Sequence, residues 1–305
     1  MNPIIKADHF SKKYGDFTAV DDISFTVDEG TIFAFLGPNG AGKSTTINTL
    51  CTILDKTEGD LEINGHDVTK DRAKVRKDIG IVFQDSTLDP KLTVEENLKY
   101  HCAFYGVPKD EIQERIDFAL DLVELTDWKK AVVGSLSGGM KRRAEIARGL
   151  VHNPKVLFLD EPTTGLDPQT RASVWKYIQE IQKKNNMTIF LTTHYMDEAE
   201  ICDKIVIMDH GKIVASDTPE NLELQFTNTS THADCKDPAP LEKELKARKI
   251  PYKKDGNRIE FQTKKAPEAL DILAGLKDDI ENFEVKNGTL NEVFLEITGK
   301  EIRES

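Results

Sequence analysis

The chain is expected to fold as an α/β domain on a mixed, mainly parallel sheet, followed by a small α+β unit. Short apolar strands alternating with amphipathic helices, from the first residues to about 218, carry the first expectation. A change of composition at 226–240, where Thr, Ser, Asn, Asp and Pro replace apolar residues, carries the second. The length of 305 residues agrees with about two domains. With 38% hydrophobic and 31% charged residues, the chain can build a packed core.

The elements follow in order. Ile4–Phe10, Ala19–Val27 and Thr31–Leu36 read as strands with short turns, an antiparallel β layer feeding the main sheet. Residues 86–150 read as a helical subdomain. Thr93 with Glu96 forms a capping box, and Asp110 with Gln113 is expected to open a second helix. Along that helix Ile112, Ile116, Leu120 and Val123 fall on one face. Strands return at Lys155–Asp160, Thr188–Thr192 and Lys204–Met208, and a hairpin turns at Asp209-His210-Gly211. The first domain is thus assigned to 1–218 and a linker or edge strand to 219–240. An accessory α+β domain is assigned to 241–305. If Thr229–Cys235 is a strand, the tail reads βαββαβ, a ferredoxin-like order.

Charge and patterning exclude several classes. A net charge of −12 argues against a general nucleic-acid binder. No apolar run approaches the ~18 residues of a membrane-spanning helix. The N-terminal residues lack the apolar core of a signal peptide. Cys51, Cys102, Cys202 and Cys235 are far apart and form no CxxC pair, so they read as free thiols.

Three motifs carry chemistry. Gly37-Pro38-Asn39-Gly40-Ala41-Gly42-Lys43-Ser44 fits G-x-x-x-x-G-K-[ST] between a strand and a helix. Glycines let successive N–H groups turn toward phosphate oxygens, and the helix start adds a positive dipole end. Lys43 can reach the β- and γ-phosphates, and the Ser44 hydroxyl can ligate Mg²⁺. Val156–Leu159 is an apolar strand running into Asp160-Glu161. Asp160 suits the Mg²⁺ shell, and Glu161 suits polarising a water. Leu136-Ser137-Gly138-Gly139 precedes a helix, with Ser137 as N-cap and open amides behind it. Read alone, that turn is either a second phosphate-binding helix start or a plain cap. Lys141-Arg142-Arg143, followed by Glu145, reads as a solvated face rather than a nucleic-acid patch.

Taken in order, Gly37–Ser44, Gln84, Leu136–Gly139, Val156–Glu161, Gly165-Leu166-Asp167 and His194 resemble the motifs of an ATP-binding-cassette (ABC) ATPase over about residues 4–218. In that family they are the Walker A, Q-loop, signature, Walker B, D-loop and H-loop motifs. Met140 departs from the signature's usual Gln. The ending Gly288–Gly299, with Met140 and the run Asp160–Pro168, is similar to the daunorubicin-resistance-type drug-export branch.

The resemblance implies a P-loop ABC ATPase fold with an antiparallel β subdomain and a helical signature subdomain. It implies that Tyr14 stacks on adenine and that Gly37–Thr45, with Thr45 at its end, holds ATP. Ser137, Gly138 and Gly139 of a second copy then close over the nucleotide, in an ATP-dependent head-to-tail homodimer. Ser44, Gln84 and Asp160 attend Mg²⁺; Glu161, His194, Gln84 and Lys43 serve hydrolysis; Asp167 organises the dimer interface. The implied partner is a transmembrane permease, placing the chain peripherally on the cytoplasmic face of the membrane. The implied cargo of such an exporter is a drug, lipid, peptide or ion. A soluble ABC-type ATPase without a transporter is the alternative reading, and a neighbouring membrane protein separates the two.

Overall fold

A computed structural model describes residues 3–299 and divides into two compact units, one up to Ser216 and one from Asp217. The termini of the two sequence-assigned domains, 1–2 and 300–305, lie outside the described residues.

The first unit opens with β1 (Pro3–Tyr14), β2 (Phe17–Asp28) and β3 (Ile32–Leu36), then α1 (Lys43–Leu50), β4 (Glu58–Ile63) and β5 (His66–Asp67). β1, β2, β4 and β5 form an antiparallel sheet in the order β2-β1-β4-β5. β3, expected beside β1 and β2, instead lies in the main sheet: all five of its residues are buried, as a strand covered on both faces requires.

Next come α2 (Arg72–Asp78), β6 (Ile79–Val82), α3 (Val94–Phe104), α4 (Ile112–Leu122) and α5 (Gly138–Leu150). They are followed by β7 (Val156–Asp160), α6 (Pro168–Asn185), β8 (Thr188–Thr193), α7 (Met196–Ala199), β9 (Lys204–Asp209) and β10 (Lys212–Asp217). The main sheet runs β10-β9-β3-β8-β7-β6 and is parallel from β9 to β6. Phe25 from the antiparallel sheet meets Phe35 of β3 edge-on at 5.0 Å, and Phe35 meets Phe190 of β8 at 5.0 Å, so the two sheets share one aromatic core. The parallel register brings Leu36 opposite Thr193 and Asp160 opposite Thr192. The loops that follow β3, β7 and β8 therefore emerge at one edge, where ligands of α/β sheets bind.

The Thr93–Glu96 capping box is present at α3. The one expected from Asp110 and Gln113 is not. Glu111 is the N-cap of α4 and makes no side-chain cap bond, because its carboxylate holds Arg115 at 2.8 Å while Gln113 turns to Asp117. β6 ends at Val82, two residues before Gln84. α5 lies close over β6: a Cβ on Gly80 would stand 2.2 Å from the Gly149 carbonyl oxygen.

The second unit comprises α8 (Pro219–Phe226), β11 (Thr229–Cys235), α9 (Ala239–Ala247), β12 (Tyr252–Asp255), β13 (Arg258–Thr263), α10 (Ala266–Ala274), β14 (Ile280–Lys286) and α11 (Leu290–Thr298). From β11 the order is βαββαβ, and the antiparallel sheet runs β12-β13-β11-β14, the ferredoxin-like arrangement. The reading of 219–240 as a linker or edge strand is corrected here. Residues 219–226 are helical, capped by the Thr218 side chain, and β11 is an interior strand with alternate residues buried. Its buried face is made of small or polar residues, Thr229, Thr231, Ala233 and Cys235, which conceals it from a search for apolar runs.

Within the first unit, Glu95 on α3 is almost fully buried and bonded to Lys130, with Lys99 at 3.0 Å and Lys129 at 3.6 Å. The Lys130 bond, helped by Lys99 and Lys129 against the cost of burial, holds its pKa near 2 instead of 4.5. The unfolded chain therefore takes up this proton first as pH falls. Glu95→Gln should reduce stability in urea by on the order of 1 kcal/mol at neutral pH. The difference from wild type should hold down to about pH 5 and shrink steadily toward about pH 2. A difference that stays constant over that range would remove Glu95 as an acid-sensitive tie.

Candidate functional site

The loop between β3 and α1 is shaped by its glycines. Gly42 has φ 103° and caps α1, and a Cβ there would lie 2.7 Å from the Ala19 carbonyl oxygen. Gly40 (φ 83°) and Gly42 are in left-handed conformations of the kind from which anion nests are built. Lys43 is 5% exposed, and its Nζ donates to the carbonyls of Gly37 (2.6 Å) and Pro38 (3.1 Å). Burial lowers its pKa, opposed by Glu161 and Asp160.

β7 delivers the two acids. Asp160 Oδ1 accepts from Thr192 Oγ1 at 2.5 Å and lies 3.5 Å from Ser44 Oγ, so the loop hydroxyl and the strand-end carboxylate meet. Glu161 has φ +45°, a left-handed conformation costly for a residue with a side chain. It is held there by β8, since its N–H donates to the carbonyl and the hydroxyl of Thr192. The Glu161 carboxylate lies 3.5 Å from His194 Nδ1 and accepts from Thr164 Oγ1 at 3.2 Å. The bond to His194, with the Lys43 charge, keeps its pKa below the ordinary glutamate value despite partial burial. The Glu161 carboxylate is therefore ionised at neutral pH. His194 Nε2 is buried without a hydrogen-bond partner among the described residues, an orphaned polar atom at the strand edge.

The other expected residues are placed as follows. Tyr14 ends β1, 45% exposed, with Lys12 Nζ 4.9 Å from its ring centroid. Gln84 is exposed just beyond β6. Ser137 is exposed and caps α5 through the Met140 N–H, and the helix starts at Gly138, within the turn itself. Asp167 caps α6 through the N–H groups of Gln169 and Thr170. Lys43, Ser44, Asp160, Glu161 and His194 thus converge, whereas Tyr14, Gln84 and Ser137 stand exposed. The residue set fits a magnesium nucleotide: a loop a Cβ would obstruct, a hydroxyl and a carboxylate meeting, and an unsatisfied imidazole nitrogen.

Three features escaped the sequence reading. Thr192 holds both Asp160 and the Glu161 backbone. Glu198, 1% exposed, accepts from Thr163 and Thr193 on either side of the site. Arg142, read as part of a solvated face, is 7% exposed and binds backbone carbonyls.

The fold and this site define a P-loop nucleotide hydrolase. The ABC transporter family model matches residues 20–164. The chain is 40% identical over 225 residues to the probable multidrug ABC transporter ATP-binding protein YbhF of Escherichia coli; the match covers 74% of this chain but only 39% of that protein. It is 34% identical to the Nod factor export ATP-binding protein I of Ralstonia nicotianae, over 99% of this chain and 96% of the relative. With the daunorubicin resistance ATP-binding protein DrrA3 of Streptomyces coeruleorubidus it shares 33% identity over 98% and 97%.

Among solved structures, cbiO1 of Clostridium perfringens, part of the ABC transporter complex cbiONQ, superposes with a TM-score of 0.68 at 33% identity, over 73% of this chain and 91% of that one. The dimeric post-hydrolysis cassette MJ0796 with ADP and Pi gives 0.63 at 28% identity, over 70% and 98%. The chain belongs to the ABC transporter family as an ATP-binding subunit, carrying the cassette with which that family hydrolyses ATP. No helix among the described residues is long and apolar enough to cross a membrane.

Proposed function

We propose that this chain is the ATPase of an exporter, hydrolysing ATP on the cytoplasmic face of the membrane to drive a separate transmembrane permease. The observation that carries the hydrolytic reading is Glu161, ionised and strained into place beside Asp160, Lys43 and His194. A protein that only bound nucleotide would have no use for an oriented base there.

The roles follow from the donors and acceptors. Gly37–Thr45 binds the phosphates through backbone N–H groups, and Lys43 turns from its loop carbonyls toward phosphate oxygens. Ser44 and Asp160, with Gln84 from its exposed loop, would hold Mg²⁺, which would supply charge neutralisation to the phosphates. Glu161 accepts the proton of the attacking water, and His194 offers Nε2 to the transferring phosphoryl group. Tyr14 supplies the ring for adenine. Ser137 and Gly138 are exposed, and Ser137–Gly139 complements the same nucleotide from a second copy, so that ATP joins two chains head to tail and Asp167 lies near the junction. Association then depends on the nucleotide, and its hydrolysis releases the pair. The names of the full-length relatives, a daunorubicin resistance protein and a Nod factor export protein, support export and leave the cargo class as drug, lipid, peptide or ion.

Glu161→Gln should keep ATP binding and slow hydrolysis at least ~100-fold, the size of a general-base contribution; turnover near wild type removes Glu161 from the base role. Ser137→Arg should retain ATP binding by the monomer and abolish ATP-dependent dimerisation. Sizing columns with and without ATP check this, and an unchanged dimer contradicts the composite site.

A further inference from the structure

Arg142 lies one turn into α5, and all five of its N–H donors are spent inside the first unit. Nε donates to the Pro162 carbonyl at 2.5 Å. Nη1 donates to the Phe83 carbonyl at 2.5 Å and to Glu145 Oε2 at 3.0 Å. Nη2 reaches the carbonyls of Asp160 and Glu161, both at 3.2 Å. Glu145, 3% exposed, spends its other oxygen on the Thr87 N–H at 2.8 Å.

The partners form a pattern. Phe83 and Thr87 bracket Gln84. Asp160 and Pro162 bracket Glu161. One buried ion pair on the helix that Ser137 caps therefore grips the chain on both sides of two residues needed for hydrolysis. A buried pair is a weak source of stability, since desolvation offsets most of its attraction. It is a good source of geometry, because a guanidinium presents a rigid planar fork. The geometry it fixes includes the left-handed Glu161 backbone, which persists only if its surroundings over-determine it.

We propose that Arg142 and Glu145 are positioning residues for ATP hydrolysis, setting the Glu161 main chain and the Gln84 loop in register with the signature helix without contributing to ATP affinity. This rests on the ATPase reading above. Neither side chain touches the Gly37–Ser44 loop in the contacts described, so binding and hydrolysis separate. A lysine at 142 keeps the charge and loses the fork. A glutamine at 145 keeps an acceptor for the Thr87 N–H and loses the charge.

The test uses the full-length chain and its Arg142→Lys, Glu145→Gln and double variants. Equilibrium ATP binding, kcat and KM are measured with amide hydrogen exchange of each protein. For Arg142→Lys, kcat should fall about tenfold to a hundredfold, the usual cost of a small misplacement, while Kd and KM stay within about threefold. Glu145→Gln should cost less, and the double variant no more than Arg142→Lys, because both act through one tie. Exchange should quicken at the Thr87 amide and across 161–166, and stay unchanged in β3 and β8. Unaltered kcat with unaltered exchange overturns the proposal. So does a loss that appears equally in ATP affinity and in exchange throughout the unit, which marks a residue needed only for folding. If wild type fails to hydrolyse ATP, the ATPase reading is at fault. Exchange at Thr87 then decides the tie alone, with acceleration supporting it and no change overturning it.

Discussion

A carboxylate taken out of water must have its lone pairs answered, and Asp160 is the carboxylate around which this cassette is arranged. It stands at the end of a fully buried strand, where the parallel register puts Thr192 beside it and the Lys43–Leu50 helix brings Ser44 within reach. That one junction joins three consecutive ends of the sheet, those of β3, β7 and β8. Everything chemical lies next to it. Glu161 follows in sequence, His194 follows Thr193, and Lys43 precedes Ser44. The Phe25, Phe35 and Phe190 core keeps the strands in register and so keeps the junction closed.

The convergence also explains why strain is tolerated at Glu161. Its N–H is held by Thr192, its carboxylate by His194 and Thr164, and its carbonyl by Arg142. Four independent attachments hold a backbone conformation that few residues adopt. They leave the carboxylate ionised beside a lysine whose own charge burial disfavours. The pair is thus poised between mutual attraction and partial desolvation.

What could be read from residues alone was local chemistry. The glycine spacing of 37–42, the capping box at Thr93, the apolar strand ending in Asp160-Glu161, and Ser137 as N-cap all act within a few residues, so sequence shows them. What could not be read depends on distant backbone. Arg142 looks like one of three adjacent cations until folding places four carbonyls from two other segments around it. Glu198 looks like a surface acid until Thr163 and Thr193 close on it. β11 reads from sequence as a linker or an edge strand because its buried side chains are small or hydroxylated and its exposed ones polar, so neither face stands out. The ferredoxin-like order emerged only conditionally, since it turned on that one strand.

A head-to-tail, ATP-dependent dimer requires that no single chain complete the nucleotide site. The most direct measurement mixes two disabled chains, one carrying Lys43→Ala in its cradle and the other Ser137→Arg in its signature turn. Neither homodimer has an intact site, whereas the heterodimer has one, built from the wild-type cradle of one chain and the wild-type turn of the other. ATP hydrolysis is expected to be lost in each chain alone and to reappear on mixing. A Ser137→Arg chain that hydrolyses ATP as fast as wild type, or a mixture as inactive as its components, would contradict it.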